Sequence, residues 1–224
     1  MYTSKLTHWS KENSMSRLLK LLMVVVMVLT IFGAHGTASA GGGGDFHFDG
    51  ESATAMFFSV DESGCIVTDV YLWSSDAVVS SSPGQRNPVS AAYVALVRFD
   101  QCNGTELLRA DGWTELPEAD FQVAKRYQSA TLHTPITVQE YESGNSFEMQ
   151  LDLTWTADGD LSHQESHNIY RTPGCLFNFH TNGILRHAQV SGTVSDGITN
   201  YTPEPASYAE IGSLRSGSVQ IGCD

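Results

Sequence analysis

Residues 147–156 read Phe147-Glu148-Met149-Gln150-Leu151-Asp152-Leu153-Thr154-Trp155-Thr156. Every second side chain is apolar, so an extended backbone puts Phe147, Met149, Leu151, Leu153 and Trp155 on one face and the acids, amide and hydroxyls on the other. A helix would scatter the same residues around its circumference. The stretch is therefore a half-buried β-strand, and the same alternation recurs from His187 to Val194.

Outward from this strand, short apolar or alternating runs follow one another between Gly-, Asn- and Pro-containing breaks, with no long amphipathic helix pattern. Cys65 to Trp73 and Ala91 to Phe99 are apolar on both faces and read as central strands. Thr54 to Val60, Phe121 to Tyr127, Ala130 to Val138, Cys175 to Thr181 and Val219 to Cys223 complete the set. Val194 to Gly217, rich in Ser, Gly and Pro, reads as a long loop. About nine to ten short strands without helices predict an all-β domain. The expectation is an antiparallel β-sandwich, immunoglobulin-like or jelly-roll, with a closed barrel as the alternative.

Three dipeptides propose turns. Asn103-Gly104 suits a two-residue hairpin pairing Phe99 with Leu108 and Val97 with Ala110. Asn182-Gly183 would pair Phe177 with Ala188 and set His180 and His187 on one polar face, as a second pair of metal-ligand candidates for which cross-strand polar pairing is the simpler reading. Asp158-Gly159 would fold the chain so that Asp152 lies opposite Glu165.

The first forty residues differ in kind. Lys5, Lys11, Arg17 and Lys20 precede the apolar run Leu21 to Phe32, followed by Ala38-Ser39-Ala40. This is the pattern of a secretory signal peptide, residues 1–40, cleaved after Ala40. The apolar run is short beside the roughly 20 residues of a membrane span, so no permanent span is expected after cleavage. Residues 41–224 then form one domain, with the glycine-rich segment 41–48 as a flexible lead-in. The expected location is extracellular or periplasmic.

Charge narrows the partners. The chain has 12 basic and 25 acidic residues; subtracting the leader's four bases and one acid leaves 8 and 24, a net charge of -16. Nucleic acid is excluded as a partner, because its phosphates demand a basic surface. A cationic or glycan partner is compatible.

All four cysteines, Cys65, Cys102, Cys175 and Cys223, follow the leader and enter an oxidising compartment. The expected disulfides pair Cys65 with Cys102 and Cys175 with Cys223, each bracketing half of the domain. The cysteines are too far apart in sequence for structural zinc sites.

Two constellations carry chemistry. His163, Glu165 and His167 alternate on one strand and so share a face; with Asp152 they would offer two imidazoles and two carboxylates to a divalent metal. Trp73, Trp113, Tyr71 and Tyr141 are candidates for stacking on sugar rings. Hydrolase motifs such as Gly-x-Ser-x-Gly are missing. The leading expectation is an exported binding or structural module without a required cofactor; the alternatives are a glycan-binding module and a metal-dependent hydrolase.

Overall fold

A computed structural model describes residues 44–81, 85–117, 119–172 and 175–223. Residues 1–43, which include the stretch expected as a signal peptide, lie outside the described residues. The described residues form nine strands: β1 (Gly44–Val60), β2 (Ile66–Ser81), β3 (Gln85–Asp100), β4 (Thr105–Glu115), β5 (Phe121–Val123), β6 (Ser129–Glu140), β7 (Ser146–Thr172), β8 (Cys175–Ser195) and β9 (Tyr208–Cys223). A single 3-10 turn, Lys125–Tyr127, lies between β5 and β6. Among the described residues no helix is long and apolar enough to cross a membrane. β1 starts at Gly44, within the segment expected as a lead-in.

All nine strands belong to one antiparallel sheet ordered β4-β3-β2-β1-β9-β8-β7-β6-β5, and β4 also pairs with β6. Two separately bonded sheets, as a sandwich requires, do not describe this ladder. The β4–β6 pairing, Ala110 with Glu140 and Asp111 with Gln139, links the edge strand β4 to β6, the strand next to the opposite edge strand β5, and so closes the ladder as in the closed-barrel alternative. Full closure leaves fewer exposed backbone donors than an open sheet does.

The alternating strands put their apolar sides inward. Phe57, Leu72, Leu96, Leu132, Ile136, Met149, Leu151, Leu153, Trp155 and Ile211 are all buried in one cluster. The outward residues of β6 and β7, from Thr131 to Gln139 and from Glu148 to Thr156, are exposed and polar apart from Pro135. Trp155 is fully enclosed, and its Nε1–H donates to the Thr54 carbonyl at 2.9 Å. The β8–β9 loop contributes Tyr201 to the cluster, its hydroxyl donating to Asp196 Oδ2 at 2.7 Å.

The turns depart from expectation for identifiable reasons. Between β3 and β4 the turn spans Gln101–Gly104, because Asp100 Oδ1 accepts the N–H groups of Cys102 and Asn103 and holds a longer loop. The register shifts accordingly: Leu108 pairs with Arg98 and Ala110 with Leu96, not with Phe99 and Val97. Asp158-Gly159 makes no hairpin. β7 runs straight through it, and the extra residues between Ala157 and Leu161 form a bulge against Ala188 and Arg186. Asn182-Gly183 likewise sits mid-strand, since β8 is flanked by β7 and β9 and their hydrogen bonds outweigh a local turn preference. The stretch expected as a long loop ends early: Tyr208 to Gly217 belongs to β9, inserted between β1 and β8. Gly212 permits that insertion, because a Cβ there would lie 2.2 Å from the Ile184 carbonyl oxygen.

β4 and β6 are short and reach only Ala91–Asp100 of the longer β3 and Ser146–Thr156 of the longer β7. Beyond them β3, β2, β1, β9, β8 and β7 continue as a trough whose inner face is continuous with the barrel core. The protein thus offers two distinct surfaces: the outer wall of the barrel and the inner face of this trough.

Candidate functional site

The outer wall of β2, β3 and β4 carries aromatic side chains in register. Trp73 pairs with Tyr93, and Tyr93 pairs with Trp113, directly across the three strands. Neighbouring strands lie 4.7–4.9 Å apart, so the row is about 10 Å long. Trp113 is 45% exposed, while Trp73 and Tyr93 are half-buried. Tyr141, 64% exposed, follows the β4–β6 junction, with its backbone N–H on the Arg109 carbonyl.

Polar groups are built into the row. Asp111, also on the outer side of β4, accepts the Tyr93 hydroxyl at 3.0 Å, and its charge also acts on the nearby Tyr141 phenol. Burial, then the negative charge of Asp111, pushes the Tyr93 phenol well above its ordinary range, so it stays a neutral donor. Tyr141 is raised for the same two reasons in the same order. A half-buried carboxylate bonded to one phenol and close to a second presents acceptor and donor atoms beside flat apolar rings. That combination of aromatic faces and fixed hydrogen-bonding groups suits a pyranose, which is apolar on its ring faces and polar at its rim.

Of the four aromatic residues expected to stack, Trp73, Trp113 and Tyr141 are accessible on this wall. Tyr71 is on the same side but only 9% exposed, 6.4 Å from the Tyr93 ring, and supports the row instead of contacting solvent. Burial and then Glu210 raise its phenol far above the usual range. Tyr93 and Asp111 escape a reading of sequence. Tyr93 lies in a run apolar on both faces, and only the register reveals that it fills the gap between two tryptophans.

The metal constellation is divided. His163, Glu165 and His167 share the trough's inner face, as their spacing predicts, and His163 lines a cavity of about 770 Å³ there. Asp152 does not join them. It stands eleven residues before His163, an odd separation, and lies on the outer wall with His133 at 3.7 Å. His180 takes its place, opposite His167 and with Nε2 3.2 Å from Glu165 Oε1. His180 and His187 do not share a face. Their separation of seven is also odd, and His187 packs outside against Tyr208 at 6.0 Å.

Cys65 and Cys102 form a disulfide with Cα atoms 5.2 Å apart, tying the β1–β2 turn to the β3–β4 turn. Their sulfurs are therefore spent, although with Asp100 they form a compact group. Cys175 and Cys223 are directly opposite in the β8–β9 ladder; their side chains lie outside the described residues. Comparison of the chain with protein-family models, curated proteins and solved structures finds no match.

Proposed function

We propose that the protein is an exported glycan-binding module, released from its signal peptide after Ala40, that holds a neutral polysaccharide on the outer wall of β2, β3 and β4. The observation that carries this reading is the in-register row Trp73–Tyr93–Trp113 with Asp111 beside it. Two exposed or half-exposed indoles on one flat wall are costly to leave in water unless they serve a contact. Rings already ordered by the sheet lose little freedom on binding, which favours affinity. The net charge of -16 after the leader disfavours acidic polysaccharides and leaves neutral ones as the matching class.

Affinity electrophoresis through a panel of neutral polysaccharides tests the proposal. At least one should retard the protein, and Trp113→Ala should weaken that binding at least about tenfold, the loss typical of an aromatic anchor. No retardation by any of the panel, or an unaffected Trp113→Ala variant, overturns it.

A further inference from the structure

Of the six histidines after residue 40, four stand on or line the inner side of the trough: His47, His163, His167 and His180. The ladder stacks this lining in layers above the apolar core. Nearest the core are Asp76, Glu51, Ser213, Ile184 and His163; next come Val78, Asp49, Arg215, Asn182 and Glu165. Arg86, Ser80, His47, His180 and His167 form the outermost layer. Arg215 Nε donates to Asp49 Oδ1 at 3.1 Å, so that guanidinium has its own carboxylate.

Glu165, His167 and His180 are neighbours in this lining. His167 and His180 are directly opposite on β7 and β8, with ring centroids 6.2 Å apart. Glu165 is one pleat away on the same face, at 3.2 Å from His180 Nε2. Two ligands held at about 2.0–2.1 Å by one tetrahedral ion stand about 3.3 Å apart. The His180–Glu165 spacing already matches that edge. His167 Nε2 donates to Asn178 Oδ1 at 2.7 Å, which fixes its tautomer and leaves Nδ1 as a free lone pair. At least one pair of ligand atoms in this trio stands more than 4.8 Å apart, so gathering all three onto one tetrahedral ion takes side-chain rotation that closes that pair by at least about 1.5 Å.

We propose that Glu165, His167 and His180 form a site for one divalent transition-metal ion, zinc or a similar borderline cation, at the rim of the trough. Asn178 orients His167 from outside the ligand set. Three protein ligands leave one tetrahedral position for water or a bound anion, and His180 of the set lines the cavity together with Arg86, His47 and His163. Imidazole and carboxylate donors select such ions over calcium or magnesium, which prefer oxygen ligands alone. The exposed His180–Glu165 pair holds its geometry only weakly without an ion, so little is lost when the metal replaces that contact. The acidic surface, net -16 after the leader, draws cations towards the protein in the first place.

The test is titration of the metal-stripped exported protein with Zn²⁺ by calorimetry, repeated with Co²⁺ while its visible absorption is followed. One equivalent should bind, and Co²⁺ should give the intense visible bands of a tetrahedral site. His167→Ala and His180→Ala should each weaken binding at least tenfold, and Glu165→Gln severalfold. His133→Ala and His187→Ala, both on the outer wall, should leave it unchanged, as should Trp113→Ala. Where an alanine variant loses its fold by circular dichroism, His167→Asn and His180→Asn supply the comparison. No stoichiometric binding, binding that survives the loss of both His167 and His180, or loss on changing His133 or His187 alone overturns the proposal.

Discussion

Gly112 of β4 lies against the backbone of Thr137 in β6, so closely that a Cβ on Gly112 would stand 2.2 Å from the Thr137 carbonyl oxygen. These two residues sit where the sheet meets itself, next to the Ala110–Glu140 and Asp111–Gln139 pairs. Gly112→Ala should therefore destabilise the barrel by about 1–3 kcal/mol, the range for overpacking. Gly144→Ala is the matched control, with φ +70° but open space around its Cβ, so it should cost only the backbone strain of about 1 kcal/mol. Urea denaturation of the two variants measures the difference. Equal losses would mean that the closure tolerates a methyl group.

The Cys65–Cys102 bridge closes a segment of 37 residues. In the chain-entropy account such a loop stabilises by about 4 kcal/mol, so Cys65→Ser with Cys102→Ser should lower the denaturation midpoint markedly. Because Cys175 and Cys223 face each other in the ladder, peptide mass mapping without reduction should find them joined as well. Free thiols at those positions would refute the second bridge.

The two tryptophans Trp113 and Trp155 should respond oppositely. Trp155→Phe removes the donor to the Thr54 carbonyl and opens a small void in the core, at a cost of about 1–3 kcal/mol. Trp113→Ala, half-exposed on the wall, should change stability by no more than about 0.5 kcal/mol while abolishing glycan retention. Thermal melts run beside the binding assay separate the two effects.

Stability should pass through two changes as pH falls from neutral. Glu51 is held above the ordinary carboxylate range, first by burial and then by Asp76 opposite it, and burial alone raises Asp69. For these groups the folded state binds the proton more tightly, so stability falls as pH rises through their raised folded values. Glu51→Gln should accordingly stabilise at neutral pH and give no gain below the ordinary carboxylate range. Asp61, Asp100 and Asp196 are shifted the other way. The Ile66 N–H leads for Asp61, the Asn103 side chain for Asp100 and the Thr199 N–H for Asp196. Their contribution is full above the unfolded carboxylate value, near 4, and is lost as pH falls through their lowered folded values. Denaturation curves at neutral pH, near pH 4 and near pH 2 would show whether the acid limb is lost in Asp61→Asn and Asp196→Asn.

Alternation along the chain makes the all-β class and the core side of its clearest strand legible. The alternation from Phe147 to Trp155 names the core side of β7 correctly, because an extended chain has a fixed period of two and burial rewards one register only. For the same reason it correctly groups His163, Glu165 and His167 on one face. What it left undetermined is where strands end and which strands meet. Asp158-Gly159 and Asn182-Gly183 look like turns locally, but the first is absorbed as a bulge of β7 against β8, and the second lies in β8 between β7 and β9, whose backbone hydrogen bonds outweigh the local preference. Once those turns vanish, Asp152 falls on the outer wall and His180 arrives beside Glu165 from a different strand. The row Trp73–Tyr93–Trp113 has the same origin, since its members are about twenty residues apart in the chain and become neighbours only through pairing. Even the closure at Gly112 and Thr137 is a contact between two backbones. Periodicity records how one strand divides between core and solvent, whereas pairing is an energy shared between distant segments, and only the tertiary structure decides it.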